Sequence, residues 1–239
     1  MKQNQLKLTV AIVSSRGVAR SDLLFFYNQL SDTILSMSLK EENRIKKQGF
    51  KYVIGLDEAG RGPLAGPVVA AAVYYKGKDV IVGVNDSKQV SPKKREALSF
   101  KLTNHPCVFW GIGVVSSAEI DKINILEASK LAMEKALLDL ETRNKIKADY
   151  LILDGKMKLD IPVNQISIIK ADEKVFSCSA ASIIAKVTRD MLMLKLAKKY
   201  PEYLFEKHKG YGTKLHLEMI KKYGPCSIHR KTFRPISDF

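Results

Sequence analysis

Apolar positions along this chain come first in short continuous runs and later in helical stripes. Tyr52-Val53-Ile54-Gly55-Leu56 and Val68 to Tyr75 are apolar runs bounded by turn residues, as buried strands require, and Cys107 to Val115 makes a third. Lys147 to Leu153 and Gln165 to Ile169 supply two more strands. Ser91-Pro92 reads as the N-cap and first residue of a helix over Lys93 to Leu102. Ala132, Met133, Ala136, Leu137 and Leu140 form a three-four stripe. A second stripe runs Ala180, Ile183, Ile184, Val187, Met191, Leu194, with Lys186, Arg189, Lys195 and Lys198 mostly on other faces. Leu39 to Lys47 reads as a polar helix stopped by Gly49, and the tail from Pro201 reads as helical and basic. Strands first and helices interleaved later predict an α/β fold, a mixed sheet flanked by helices with a C-terminal helical part.

Repeats and low-complexity tracts are absent, so one folded body is expected over residues 37–239. Residues 1–36 match no pattern and stand as an unassigned N-terminal extension, either an appendage or upstream sequence counted in by a misplaced start at Met1.

Composition narrows the class. Apolar residues make up 46% and charged ones 27%, which excludes a disordered or collagenous chain. No apolar run approaches the roughly 18 residues of a membrane span, so a soluble protein with no membrane partner is expected. The 40 Lys and Arg against 25 Asp and Glu leave +15, a surplus that favours polyanions such as nucleic acid. Cys107, Cys178 and Cys226 are far apart and odd in number, which suggests neither a disulfide framework nor a zinc site and fits a reducing, cytoplasmic location.

Two strands run apolar until they deliver a carboxylate, Asp57 after Leu56 and Asp154 after Leu153. Strand ends are where ligands gather in open α/β sheets, and a charge there avoids entombment. For Asp154-Gly155 a plain turn is the simpler reading. Asp57 is followed by Glu58 and then Ala59-Gly60-Arg61-Gly62-Pro63-Leu64-Ala65-Gly66-Pro67, a density of glycine and proline that either turns the chain or lets backbone approach a sugar-phosphate. Neighbouring strand residues point to opposite faces, so Asp57 and Glu58 share one site only if the strand breaks between or just after them. Asp172 by itself reads as a helix N-terminal carboxylate offsetting a dipole. His208-Lys209-Gly210-Tyr211-Gly212-Thr213 sets a tyrosine between glycines amid basic residues, which suits either stacking on a sugar or base or a helix-connecting turn. The four histidines lack the spacing of a zincin helix.

Together the segments from Glu41 to Ile236 resemble type 2 ribonuclease H, ribonuclease HII. The resemblance rests on Asp57 to Pro67, Asp86-Ser87-Lys88, Glu119 to Leu126, Tyr150 to Gly155, the Asp172 segment with Ala180 to Asp190, His208 to Thr213, Gly224-Pro225-Cys226 and His229-Arg230. It implies a ribonuclease H-like fold and a catalytic, metal-ligating cluster of Asp57, Glu58, Asp154 and Asp172. It also implies that the Gly60-Arg61-Gly62 backbone reads a ribose 2′-hydroxyl and that Tyr211 stacks on the adjoining deoxyribose. Lys88, Arg61 and Lys209 are then expected to share the substrate phosphate. Two departures stand out: Ala171 and Glu173 replace the glycine and small residue of many members, so that Glu173 competes with Asp172, and the stretch before Met37 is unmatched. Asp172 is retained as the ligand.

Converging carboxylates need cations, and all-oxygen ligands suit Mg²⁺ or Mn²⁺. Two ions about 3.5 to 4 Å apart would serve an in-line phosphodiester hydrolysis that leaves 3′-hydroxyl and 5′-phosphate ends. The expected substrates are RNA/DNA hybrid and duplex DNA carrying a single ribonucleotide, cut by a monomer. The alternatives are a ribonuclease HIII-like hybrid nuclease, although that family carries threonine in place of Arg61, and a non-catalytic hybrid-binding module.

Overall fold

A computed structural model describes residues 38–84 and 91–239. Five strands form one sheet: β1 (Val53–Ala59), β2 (Val68–Tyr75), β3 (Val108–Val115), β4 (Tyr150–Asp154) and β5 (Asn164–Ile168), in the order β3-β2-β1-β4-β5. β1-β2 and β2-β3 pair antiparallel, whereas β1-β4 and β4-β5 pair in parallel, so the sheet is mixed as expected. The helices are α1 (Lys40–Lys46), α2 (Pro92–Thr103), α3 (Ser117–Asn144), α4 (Ala171–Lys174), α5 (Phe176–Lys199), α6 (Phe205–His208) and α7 (Lys214–Tyr223).

The strands are apolar throughout because helices cover both faces. Ile54, Leu56, Val68, Ala70, Ala72, Tyr74, Leu151 and Leu153 pack against the Ala132, Met133, Ala136, Leu137 and Leu140 stripe of α3. The alternate residues Ala71, Val73 and Tyr75 pack against Phe176, Ala180, Ile183 and Ile184 of α5. This two-residue alternation makes one sheet serve two hydrophobic layers. α3 approaches closely enough that a Cβ on Gly113 would lie 1.9 Å from the Ala132 carbonyl oxygen, so only glycine fits there. A capping box starts α3: the Ser116 hydroxyl accepts from the Glu119 N–H, and the Glu119 carboxylate accepts from the Ser116 N–H at 2.9 Å. Asn124 interrupts the same helix at φ 65°, a kink that the apolar stripe does not encode.

The second stripe holds only as far as Val187. Beyond it Met191 and Leu194 are exposed, while Met193 and Ala197 are buried with Ala65, Tyr203 and Phe205. The last turns of α5 leave the sheet and meet the C-terminal helices, so a different face is covered there. No described helix is long and apolar enough to cross a membrane.

Candidate active site

Strand β1 does not stop at Leu56. Its ladder with β2 continues through Asp57, Glu58 and Ala59, and the break falls at Gly60, where φ is +101°. Asp57 and Glu58 therefore point to opposite faces. Asp57 continues the row of Gly55, whose face meets Ser177 of α5, and its carboxylate has a hydrogen bond with Ser182 of the same helix. Glu58 continues the row of Leu56 on the α3 side, where Arg61 Nη1 lies 3.2 Å from its Oε1 and 3.9 Å from Met157 Sδ.

The parallel register of β1 with β4 pairs Leu56 with Leu153, so the next positions are Asp57 and Asp154, side by side at the ends of neighbouring strands. Asp154 is followed by Gly155 at φ +89° and is thus both a turn residue and a site acid. Its Oδ1 accepts from the Ala171 N–H at 2.6 Å, which draws the four-residue α4 against the strand end. Asp172 on that helix is buried, and oxygens of Asp57, Asp154 and Asp172 all lie within 4.8 Å of one another. The dipole-offsetting role that Asp172 suggests in isolation gives way to membership of this cluster. Glu173 instead turns onto Lys170, 3.0 Å from its Nζ, and is outside the set of three.

Burial pushes the Asp57 carboxyl well above its usual range, and the charges of Glu58 and Asp154 add to that. Burial also raises Glu58, against the opposing pull of Arg61. Glu58 is outside the set of three, yet its Oε2 is buried and has no hydrogen-bond partner among the described residues. An all-carboxylate set in which Asp57 resists ionising beside its neighbours is the donor chemistry that a hard divalent cation relieves.

The glycine-rich loop is held from inside by two buried arginines. Arg230 donates from Nε to the Gly66 carbonyl at 3.0 Å, from Nη1 to Arg61 at 2.8 Å, and from Nη2 to Gly60 at 2.5 Å and Gly66 at 2.9 Å. Arg189, off the apolar stripe of α5, is fully buried and donates to the carbonyls of Pro67, Lys209 and Ala65. A Cβ on Gly60 would sit 2.1 Å from Arg189 Nε, so the glycine is needed for the arginine's approach as well as for its positive φ. The Leu64 N–H donates to the Gly210 carbonyl and Ala65 bridges to His229, which joins the loop to the His208 to Thr213 segment.

Tyr211 stands at this junction, 41% exposed, with Lys186 Nζ 5.6 Å from its ring centroid. Its backbone carbonyl is held at 2.9 Å by His216 Nδ1. His216 Nε2 is 3.1 Å from His229 Nε2, and His229 Nδ1 accepts from the Cys226 N–H, so the row is satisfied with both imidazoles neutral. Burial brings each of these two down to about 4.

Arg61 is half exposed with its side chain on Glu58. The Lys209 ammonium donates to the Glu206 carbonyl and its own carbonyl serves Arg189. Lys88, with Asp86 and Ser87, lies outside the described residues. Residue patterns alone missed Ser182, Arg189, Arg230 and the histidine row. A serine at a helix face or an arginine in an otherwise basic stretch carries no mark of burial, and only the unusual glycine density of the loop they hold hinted at them.

The ribonuclease HII family model matches residues 54–236. The ribonuclease HII of Bacillus pumilus (strain SAFR-032) is 52% identical over 83% of this chain and 76% of that protein. That of Chlamydia muridarum (strain MoPn / Nigg) is 49% identical over 82% of this chain and 88% of its own. Among solved structures, ribonuclease H2 from Pyrococcus horikoshii OT3 superposes with a TM-score of 0.64 at 32% identity, covering 79% of this chain and 96% of that one.

Proposed function

The chain belongs to the ribonuclease HII family of metal-dependent endoribonucleases, and from that premise we propose that it hydrolyses the RNA strand of RNA/DNA hybrids and cuts at single ribonucleotides embedded in duplex DNA. We take residues 37–239 as the catalytic domain. The observation that carries this reading is the convergence of Asp57, Asp154 and Asp172 at the strand ends, beside a glycine-rich loop joined to Tyr211.

Asp57, Asp154 and Asp172 would hold divalent ions, Mg²⁺ or Mn²⁺; Glu58 leaves β1 on the other face, yet its charge acts on Asp57 and that of Asp154 acts on it, and it would join them by exchanging Arg61 for a cation. The orphaned Glu58 Oε2 supports that exchange. Divalent ions bound there supply activation of the attacking water and stabilisation of the leaving 3′ oxygen, giving 3′-hydroxyl and 5′-phosphate ends. The chain's own residues do the rest. Released from Glu58, Arg61 is available to the substrate phosphate together with Lys88 and Lys209, because four carboxylates against two divalent ions leave no net positive charge at the centre. The Gly60-Arg61-Gly62 backbone reads the 2′-hydroxyl, the group that separates ribose from deoxyribose, and Tyr211 stacks on the next sugar. Arg230 and Arg189 keep that reader rigid, so geometry discriminates before chemistry begins. Arg61 between two glycines supports cutting at an isolated ribonucleotide, and the four acids together support an enzyme over a binding module. The +15 surface adds phosphate contacts whose grip weakens as salt rises.

A duplex with one ribonucleotide, incubated with the protein and Mg²⁺ or Mn²⁺, is expected to yield a single nick with a 3′-hydroxyl on the upstream fragment. An intact duplex, or equal cutting by Asp57→Asn, overturns the proposal.

A further inference from the structure

Helix α1 precedes the 54–236 stretch that the family model matches, yet it reaches the joint that carries Asp172. Its Glu42 is 2% exposed. One oxygen, Oε1, accepts from both the backbone N–H and the hydroxyl of Ser177, each at 2.9 Å, in the first turn of α5. The other, Oε2, is buried and has no hydrogen-bond partner among the described residues. Around it, Ile45 of α1 packs with Ala171, Val175 and Cys178, and Ser38 bridges to Val175.

α4 has four residues, and the Val175 N–H closes it on the Ala171 carbonyl at 2.8 Å. A single turn does not persist by itself, since helix nucleation is unfavourable. Asp172 is therefore located by what grips the two ends of its turn. Asp154 holds the Ala171 N–H at one end, and Ser38 and Glu42 hold Val175 to Ser177 at the other. The same α5 sends Ser182 to Asp57 and Arg189 to the glycine-rich loop, so the seat of its first turn is shared by the whole site. A carboxylate facing a helix N-terminus gains from the helix dipole, but burying it with an unsatisfied oxygen costs stability that an apolar residue would not. Packing alone does not account for Glu42.

We propose that Glu42 is a positioning residue for the carboxylate cluster: through Ser177 it seats the α4–α5 joint and so sets Asp172 against Asp57 and Asp154. This rests on the reading of those three as metal ligands. Glu42 touches neither substrate nor cluster.

The test compares the full chain with Glu42→Ala and Glu42→Gln. It measures Mn²⁺ binding by calorimetry without substrate, kcat and KM on the one-ribonucleotide duplex at saturating Mn²⁺, and thermal unfolding. Glu42→Ala is expected to bind Mn²⁺ about tenfold more weakly and to lose about tenfold in kcat, as supporting residues around metal sites do, with KM changed by less than about twofold. Glu42→Gln keeps an acceptor for Ser177 and is expected to restore most of both. A folded Glu42→Ala that binds Mn²⁺ and turns over like wild type, while melting earlier, overturns the proposal and leaves Glu42 a merely structural residue. If Glu42→Ala does not fold, the same criteria apply to Glu42→Asp, which keeps the charge but withdraws it from Ser177. Wild-type protein that binds no Mn²⁺ would instead overturn the metal-site reading itself, and Glu42's role with it.

Discussion

At the ends of β1 and β4, three carboxylates crowd within 4.8 Å of one another, whereas a few residues along the same loop Arg189 and Arg230 are enclosed by backbone carbonyls. Both regions bury charge. In the first, burial and then like charges raise Asp57, so the fold carries a charge that it resists. In the second, cation and acceptors are matched: burial brings Arg230 down to about 9, so it stays charged at neutral pH, and its donors are spent on Gly60, Arg61 and Gly66. Mismatched buried charge marks where an external ion belongs, and matched buried charge marks where the chain needs rigidity. The proximity of the two sets a stiff loop beside a cluster of acids.

The sharpest way to break this contrast is to neutralise one member on each side. Asp57→Asn is expected to lower the cleavage rate by about 10³-fold or more, since several kcal/mol of metal-assisted stabilisation are lost. Without metal its melting temperature is expected to rise above wild type, because a repulsive buried charge has gone. Added Mg²⁺ is expected to raise the melting temperature of wild type and not of Asp57→Asn. Arg230→Met should do the reverse to stability. Urea unfolding is expected to show a loss of about 2–4 kcal/mol, because the loop carbonyls lose buried donors. If Arg230→Met melts like wild type, the second region is not a matched structural element.

Acid should separate the regions more gently. His216 and His229 are neutral when folded, at about 4, against the ordinary 6.5 when unfolded. Below 6.5 the unfolded chain takes up protons that the folded chain refuses, so their contribution is fully present above 6.5 and is lost as pH falls towards 4. The raised Asp57 has the opposite sign, its folded form holding a proton longer than the unfolded one. Asp57→Asn should therefore lose stability more steeply than wild type as pH falls from about 6.5 towards 4, as read by urea midpoints, because the compensating carboxylate is gone. Equal slopes would mean that the two regions do not titrate against each other. The smallest effect is expected for Glu173→Gln, whose parent side chain is on Lys170: activity within about twofold of wild type, against a loss like that of Asp57→Asn for Asp172→Asn. A severe loss in Glu173→Gln would return the neighbouring acid to the site.

Much of this was legible from residue order. The five strands, the α3 stripe and the carboxylates at strand ends all follow from apolar runs and where they stop, because a strand covered on both faces leaves a continuous apolar signature. The second stripe misled beyond Val187, since no local pattern says which packing partner a helix will meet in its last turns. The burial of Arg189 was hidden for the same reason: a guanidinium enters the interior only when distant carbonyls converge on it. The fate of Glu58 depended on the ladder running two residues past Leu56.

What the chain determined by its order alone was the set of groups: acids at the mouths of apolar runs, a loop with room for close backbone approach, and a surplus of positive charge. Which acids meet was decided by tertiary structure. The parallel register set Asp57 beside Asp154, pleat alternation turned Glu58 to the other face, and a single turn held at both ends delivered Asp172 and not Glu173. Residues distant in the chain come within ångströms only through the packing of whole elements, and that information is carried by no local stretch of sequence.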